Sequence, residues 1–208
     1  MPSKKDYPAQ GLVDFCGKLA GLVVSNLLWL LCCLPVVTAG SAGKALYGNC
    51  FRLLRREEVS AKTFWQEFRR DFGRTSGLWC IILFAFFVSG LDIRLIAGMA
   101  LGAKIAILIL PCFCVLALVL FVGMVLPMLS LHPQSIRDAA VNGVLLSIGN
   151  LPKMLLVTAV NLVPGIVFLL SGKIFAMLLP LWLLCGGSLI ALYNAKLLQP
   201  ILVSGEQE

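Results

Sequence analysis

The chain has 208 residues, 60% of them hydrophobic and only 13% charged, with a mean hydropathy of +0.96. A soluble globular domain is roughly 45–50% apolar and about 25% charged, so this chain cannot cover its own surface with polar groups and a water-soluble domain is excluded. The formal net charge of +7 does not mark a nucleic-acid binder, because the cations fall between apolar runs instead of lining one soluble face; they mark membrane topology and headgroup contact.

A Lys, Arg or Asp at a helix centre costs roughly 2.5–3.5 kcal/mol on insertion, so the charges cut the sequence at membrane interfaces. Uncharged runs cover residues 19–43, 75–91, 105–136, 154–172 and 174–195. At about 1.5 Å per residue, runs of this length can cross roughly 30 Å of hydrocarbon. They predict five spans, at about 19–40, 75–92, 105–131, 154–172 and 174–196. Residues 95–103 are too short to cross alone. Residues 139–152, interrupted by Asn142, Asn150 and Pro152, read as a half-helix leading into the fourth span. The predicted fold is all-α: a polytopic membrane helix bundle, residues 1–208 as a single membrane domain, with a cytoplasmic amphipathic helical hairpin between the first and second spans. Neither internal repeats nor a soluble domain at either end is legible.

Placing the 44–74 connection inside puts Lys44, Arg52, Arg55, Arg56, Lys62, Arg69, Arg70 and Arg74 in the cytoplasm, joined by Arg137, Lys153 and Lys196 if the spans number five. Lys4, Lys5, Lys18, Arg94, Lys104 and Lys173 are left outside. The amino terminus is therefore expected outside and the carboxyl terminus in the cytoplasm. A first helix stopped at Pro35 and re-entrant would return the amino terminus to the inside. A cleaved signal peptide is the rival reading of the first run, with Lys4 and Lys5 ahead of it and Thr38-Ala39-Gly40-Ser41 behind. Asp6, Asp14 and Lys18 interposed before the run count against it, as does the export of the most basic loop.

The 44–74 connection separates its residues by type on a projection of about 100° per residue. Over 44–56, Leu46, Tyr47, Cys50, Phe51, Leu53 and Leu54 oppose Lys44, Asn49, Arg52, Arg55 and Arg56. After Glu57, Glu58, Val59 and Ser60, Thr63 followed by Gln66 gives a capping-box pattern. The helix it predicts over 63–74 sets Phe64, Trp65, Phe68 and Phe72 against Gln66, Arg69, Arg70 and Arg74. Two interfacial helices are expected, with rings at the headgroup boundary or on the bundle and arginines reaching anionic phosphates. Arg52, Arg55, Arg56, Phe64, Trp65, Phe68, Arg69, Arg70 and Phe72 are the candidates for contact with the membrane surface or with a cytoplasmic partner; the blander role is anchoring alone.

At these residues a resemblance emerges. Asn26-Leu-Leu-Trp-Leu-Leu-Cys-Cys-Leu-Pro35-Val-Val-Thr38-Ala-Gly40 is followed by Ala45-Leu46-Tyr47 and Arg52-Leu-Leu-Arg-Arg-Glu-Glu58. Phe64, Phe68 and Phe72 then recur at four-residue spacing before Gly77-Leu-Trp79. This pattern resembles the YesL family of bacterial membrane proteins, a domain of unknown function. The likeness is specific over about residues 26–80 and beyond that rests on hydropathy and the Asn150-Leu-Pro152-Lys153 turn. Gly48 and Asn49 depart from the bulkier helix formers expected there, and Asp71 stands where the family usually has Asn. The resemblance implies a multi-pass protein of the bacterial cytoplasmic membrane. Because members tend to be encoded beside carbohydrate ABC transporters and glycoside hydrolases, it also implies an accessory role in sugar uptake. It carries over no catalytic residues.

Catalytic chemistry inside a membrane calls for ionisable groups on facing helices, and the predicted spans hold almost none. That argues against a proton-coupled carrier with buried carboxylates and against a metal-dependent hydrolase. His132, before Pro133, is the only histidine and reads as a cap or interface residue. The eight cysteines mostly sit in apolar runs as small hydrophobes. Cys32-Cys33 and Cys112-x-Cys114 have neither zinc-site nor CxxC spacing. No cofactor or metal is expected, and no enzyme. The polar residues of the spans are Ser25, Asn26, Asn161 and Asn194, beside Pro35, Pro111, Pro127, Pro164 and Pro180. Interhelical hydrogen bonding is the ordinary use of such residues; the sharper expectation is that Asn26, Asn161 and Asn194 converge on one midplane cavity beside proline-broken helices. Gly186-Gly187-Ser188 with Ala191 form a small-residue face for close helix packing. The function expected is a non-enzymatic accessory or regulatory component of a carbohydrate uptake system, with permease or ATPase subunits as partners; the alternative is a small-solute transporter or channel acting alone.

Overall fold

The computed structural model describes residues 8–95, 101–131 and 135–204. His132, Pro133, Lys4 and Lys5 lie outside them. Helix α1 spans Pro8–Cys33, α2 Ala39–Leu54, α3 Ala61–Arg69, α4 Phe72–Leu95, α5 Leu101–Leu120, α6 Leu126–Leu131, α7 Ile136–Gly149, α8 Leu151–Leu170, α9 Gly172–Leu181 and α10 Gly187–Ser204. A π-turn at Phe121–Val125 joins α5 to α6, and a second at Trp182–Gly186 joins α9 to α10. Among the described residues there is no strand, and the protein is an all-α polytopic bundle. Four stretches are long and apolar enough to cross a membrane: Cys16–Cys33, Pro111–Leu131, Leu151–Leu170 and Gly172–Leu202. A fifth is added if Ala61–Arg69 and Phe72–Val88, bent by 71°, count as one. Their outward surfaces are greasy, up to 83% exposed at Leu169 and 86% at Met177, as expected of helices whose solvent is hydrocarbon.

The core is built around α2, which packs on α1, α3, α4, α6 and α10. Small residues permit this. A Cβ on Gly40 would fall 2.8 Å from Trp79 Cβ, and one on Gly43 would lie 3.0 Å from Leu126 Cδ1. This corrects the reading of 44–56 as an interfacial helix. Residues 40–51 are buried apart from Gly43, including Lys44 and Asn49 of the expected polar face. The cause lies upstream. Leu34 and Pro35 end α1, the Thr38 hydroxyl folds back onto the Cys32 and Pro35 carbonyls, and the chain reverses.

Helices α1 and α2 consequently form an antiparallel hairpin, in which Val59 packs against Gly21 and Asn49 meets Ser25. Gly17 and Lys18 share one cavity wall with Leu53 and with Arg56 to Ser60. The first part of α1 and the basic connection thus lie at the same end of the described structure, the arrangement expected of a first helix stopped at Pro35 and re-entrant. The start of the next helix also moves. Ser60 is the N-cap of α3, with Thr63 as its reciprocal capping-box partner; Thr63 is the third residue of the helix, not its cap. Between α3 and α4 the chain turns at Asp71, whose φ of 55° lies in the left-handed region that Asp and Asn enter more readily than most residues.

The two π-turns interrupt the third and fifth predicted spans, close to Pro127 and Pro180, two of the prolines expected to break helices. Pro127 stands two residues past the end of the first; having no N–H, it cannot supply the bond that would continue an ordinary α-helix there. Leu126 bonds instead to the Phe121 carbonyl, five residues back.

Candidate functional site: a basic elbow and a tryptophan-lined cavity

The elbow is the turn from α2 into α3 and α4, and it is organised by one buried carboxylate. Gly48 makes room for it, since a Cβ there would stand 3.0 Å from Glu67 Cγ. Arg52 Nη2 donates to Glu67 Oε1 at 3.3 Å, and Arg70 Nη2 lies 3.0 Å from Oε2. The same Arg70 group donates to the Leu129 and Ser130 carbonyls at 3.1 and 2.8 Å, satisfying the end of α6. The Arg70 carbonyl accepts from Lys44 Nζ. Burial, with the Arg70 charge beside it, pulls the Lys44 amine down to about 8; Asp71 and Glu67 oppose this. A second relay binds the elbow to α1. Thr63 Oγ1 donates to Asn49 Oδ1 at 2.9 Å, Asn49 Nδ2 to Ser25 Oγ at 2.9 Å, and Ser25 Oγ to the Gly21 carbonyl at 2.8 Å.

These contacts divide the predicted contact residues into two sets. Phe64 and Phe68 are buried in the core, stacked 6.4 Å apart, and Arg52 and Arg70 are spent on Glu67. Arg55, Arg56 and Arg69 are exposed, as are Trp65 at 43% and Phe72 at 37%. The Arg69 guanidinium lies 5.0 Å from the Trp65 ring centroid, a cation–π contact. With Lys62 and Arg74, also exposed, they make a cationic face studded with two rings, each packed by one side on the core residue Phe68 at 5.2 Å and open on the other.

The second site is a cavity of about 260 Å³ where α1, α2, α4 and α8 meet the two π-turns. Trp29, Trp79 and Trp182 stand in its wall with Tyr47, Asn161 and Pro164. Trp29 and Trp182 pack edge to face at 6.2 Å, and Trp79 Nε1 donates to the Val36 carbonyl at 2.7 Å. Asn194 Nδ2 reaches Tyr47 Oη at 3.3 Å and Asn161 Oδ1 at 3.2 Å, while Asn161 Nδ2 donates to the Val157 carbonyl at 2.9 Å. Of the three asparagines expected to converge, the structure brings Asn161 and Asn194 together, with Asn161 on the cavity wall.

Asn26 is elsewhere. Its Nδ2 donates to the Leu183 carbonyl at 2.7 Å, and its Oδ1 accepts from the Ser188 N–H at 2.8 Å. The side chain thus inserts into the backbone ladder of α10's first turn and clasps it to α1. The small-residue face is what admits it: a Cβ on Gly187 would sit 2.5 Å from Trp29 Cζ3 and 2.9 Å from Asn26 Oδ1.

Sequence reasoning missed Glu67, Tyr47 and the three tryptophans. Glu67 carried a signal, being an acid three residues before Arg70 on one helix face; the tryptophans carried none, since they are far apart in the chain.

Residues 22–93 match the model of a family described as "Protein of unknown function, DUF624". That segment holds the second part of α1, all of α2 and α3, and most of α4, and so contains the elbow and one side of the cavity wall. No curated protein and no solved structure matches the chain.

Proposed function

We propose that this multi-pass membrane protein is a non-enzymatic accessory or regulatory component of a carbohydrate ABC-type uptake system, and that its elbow docks a cytoplasmic subunit of that system. The observation that carries the docking is the division of labour at the elbow. Phe64, Phe68, Arg52 and Arg70 build it, whereas Trp65, Phe72, Arg69, Arg55 and Arg56 are left exposed on a rigid support. Exposed aromatic and Arg side chains are the residues enriched at protein interfaces. Support for a cytoplasmic elbow comes from the cations. Lys18 and the elbow share one end, and Arg70 holds the end of α6 there, a few residues before Arg137 in the chain. With the amino terminus on the elbow's side, the excess of Lys and Arg favours that side as the cytoplasmic one. Support for the uptake system comes from the YesL resemblance, whose specific part, about residues 26–80, lies within the family-matched segment.

Co-purification in mild detergent tests this reading. The tagged chain is expected to bring a permease or ATPase subunit with it, and a Trp65→Ser, Arg69→Glu variant to lose that subunit while remaining folded. Retention of the subunit by the variant overturns the elbow as the docking face. Solute flux in liposomes containing the purified chain alone overturns the accessory role.

A further inference from the structure

We infer that the tryptophan-lined cavity is a binding site for the alkyl chain of an uncharged amphiphile, with an oxygen of that ligand bonded to the Tyr47 hydroxyl; this rests on neither the docking face nor the uptake assignment. Access comes first. Cys33, Ala39, Pro164 and Trp182 in the wall are only half-buried, and their chain neighbours Leu34, Val163 and Leu183 are exposed. The cavity therefore opens on the apolar surface that hydrocarbon covers, and what enters it comes from the bilayer.

The wall then restricts the chemistry. Among the described residues no acidic or basic side chain lines it, so a charged group would be left unpaired in a low-dielectric site. Polarity is concentrated at Tyr47 and Asn161. Both amide groups of Asn161 are engaged, but the Tyr47 hydroxyl only accepts, from Asn194, and donates to nothing among the described residues. A buried hydroxyl with an unused hydrogen calls for an acceptor. Trp182 Nε1, also in the wall, is a second buried donor without a partner among the described residues, so a ligand oxygen has unused donors to accept from.

Size completes the description. An apolar cavity of about 150 Å³ holds benzene; in proportion, this one at about 260 Å³ takes roughly ten heavy atoms. A medium-length alkyl chain ending in an alcohol, or the equivalent stretch of a lipid acyl chain beside its ester, satisfies all three constraints.

The wall contains three of the protein's four tryptophans, so binding is read directly from indole emission. The full chain carrying Trp65→Phe, reconstituted in lipid, is titrated with 10-bromodecan-1-ol and, separately, with 1-bromodecane at matched membrane mole fraction. Saturable quenching is expected, with half-saturation about twofold to tenfold lower for the alcohol, the advantage of one net hydrogen bond. Tyr47→Phe should erase that difference while leaving saturable quenching by both probes, and Ala39→Phe, which intrudes on the cavity, should reduce quenching to the linear dependence of bulk partition. A chain-brominated phospholipid distinguishes the sources. If it quenches saturably and displaces the alcohol, the natural occupant is bilayer lipid; if only the alcohol saturates, it is a free amphiphile. Quenching linear in mole fraction, equal for alcohol and bromodecane and unchanged in both variants, overturns the site.

Discussion

Replacing Asn26 by Leu keeps the bulk of the side chain and removes both hydrogen bonds of the clasp. The Leu183 carbonyl and the Ser188 N–H, bonded at 2.7 and 2.8 Å, then lose their partner where Asn26 itself is fully buried. Leaving a buried polar group unpaired costs about 1–3 kcal/mol. Interhelical side-chain bonds in membranes average only about 0.6 kcal/mol, because the unfolded chain also finds partners there. Two groups between these limits give a loss of about 2–4 kcal/mol. At about 2–4 °C per kcal/mol for a chain of this size, the unfolding midpoint should fall by roughly 5–15 °C in a detergent thermal melt followed by helicity. Asn161→Leu is the internal comparison. It disturbs a bond within α8 and one to Asn194, and should cost about 1 kcal/mol. A midpoint for Asn26→Leu at or above that of Asn161→Leu would refute the clasp.

Glu67→Gln removes the counter-charge of Arg70 and leaves Arg52 with Glu57 alone, at a carboxylate whose side chain is only 7% exposed. Because both guanidinium groups are about a third exposed, the loss should be about 1–3 kcal/mol, below that of a fully buried pair; a variant as stable as the parent would show the network to be ornamental. Gly48→Leu should destabilise the fold further, because its Cβ meets Glu67 Cγ at 3.0 Å, and proteolysis at the elbow is the readout. Single cysteines at Gly17 and Ser60, in a background with the native cysteines replaced, should react with an impermeant thiol reagent from the same side of sealed vesicles; labelling from opposite sides would break the α1–α2 hairpin.

Most spans were legible because their signal is local: a Lys or Arg interrupts hydrocarbon wherever it falls, and the charge-bounded runs fall on α4, α5 with α6, α8, and α9 with α10, whereas the run 19–43 crosses the break between α1 and α2. The amphipathic pattern over 44–56 was equally clear, yet misplaced α2. Periodicity shows that a helix has two faces, not what covers them, and its polar face is covered by α1 and α3 through Ser25–Asn49–Thr63 and by the Arg70 carbonyl above Lys44. The same limit hid the cavity, whose Trp29, Trp79 and Trp182 come from three separate stretches. It also hid the clasp: Asn26 and Ser188 are 162 residues apart, and only a π-turn that no local rule announces frees the groups they use.

Lys44 shows what the hidden face does to ionisation. Burial lowers its amine from the ordinary 10.5 to about 8, with Arg70 adding to the shift and Asp71 and Glu67 opposing it. Below pH 8 the amine is charged in folded and unfolded chains alike, and the folded state bears the full cost of a buried ammonium whose bond is to the Arg70 carbonyl. Between pH 8 and 10.5 the unfolded chain holds a proton that the folded one has shed, so stability rises with pH across that window and levels off above it. The shift corresponds to a gain of about 3 kcal/mol. Lys44→Met retains most of the stem and should remove this slope, melting above the parent at pH 7 and converging with it near pH 10. Other groups titrate in the same range, so the quantity to measure is the difference between parent and variant at each pH. If that difference is constant from pH 7 to 10, Lys44 is solvated when folded, and the covering of α2 by the elbow is wrong at its centre.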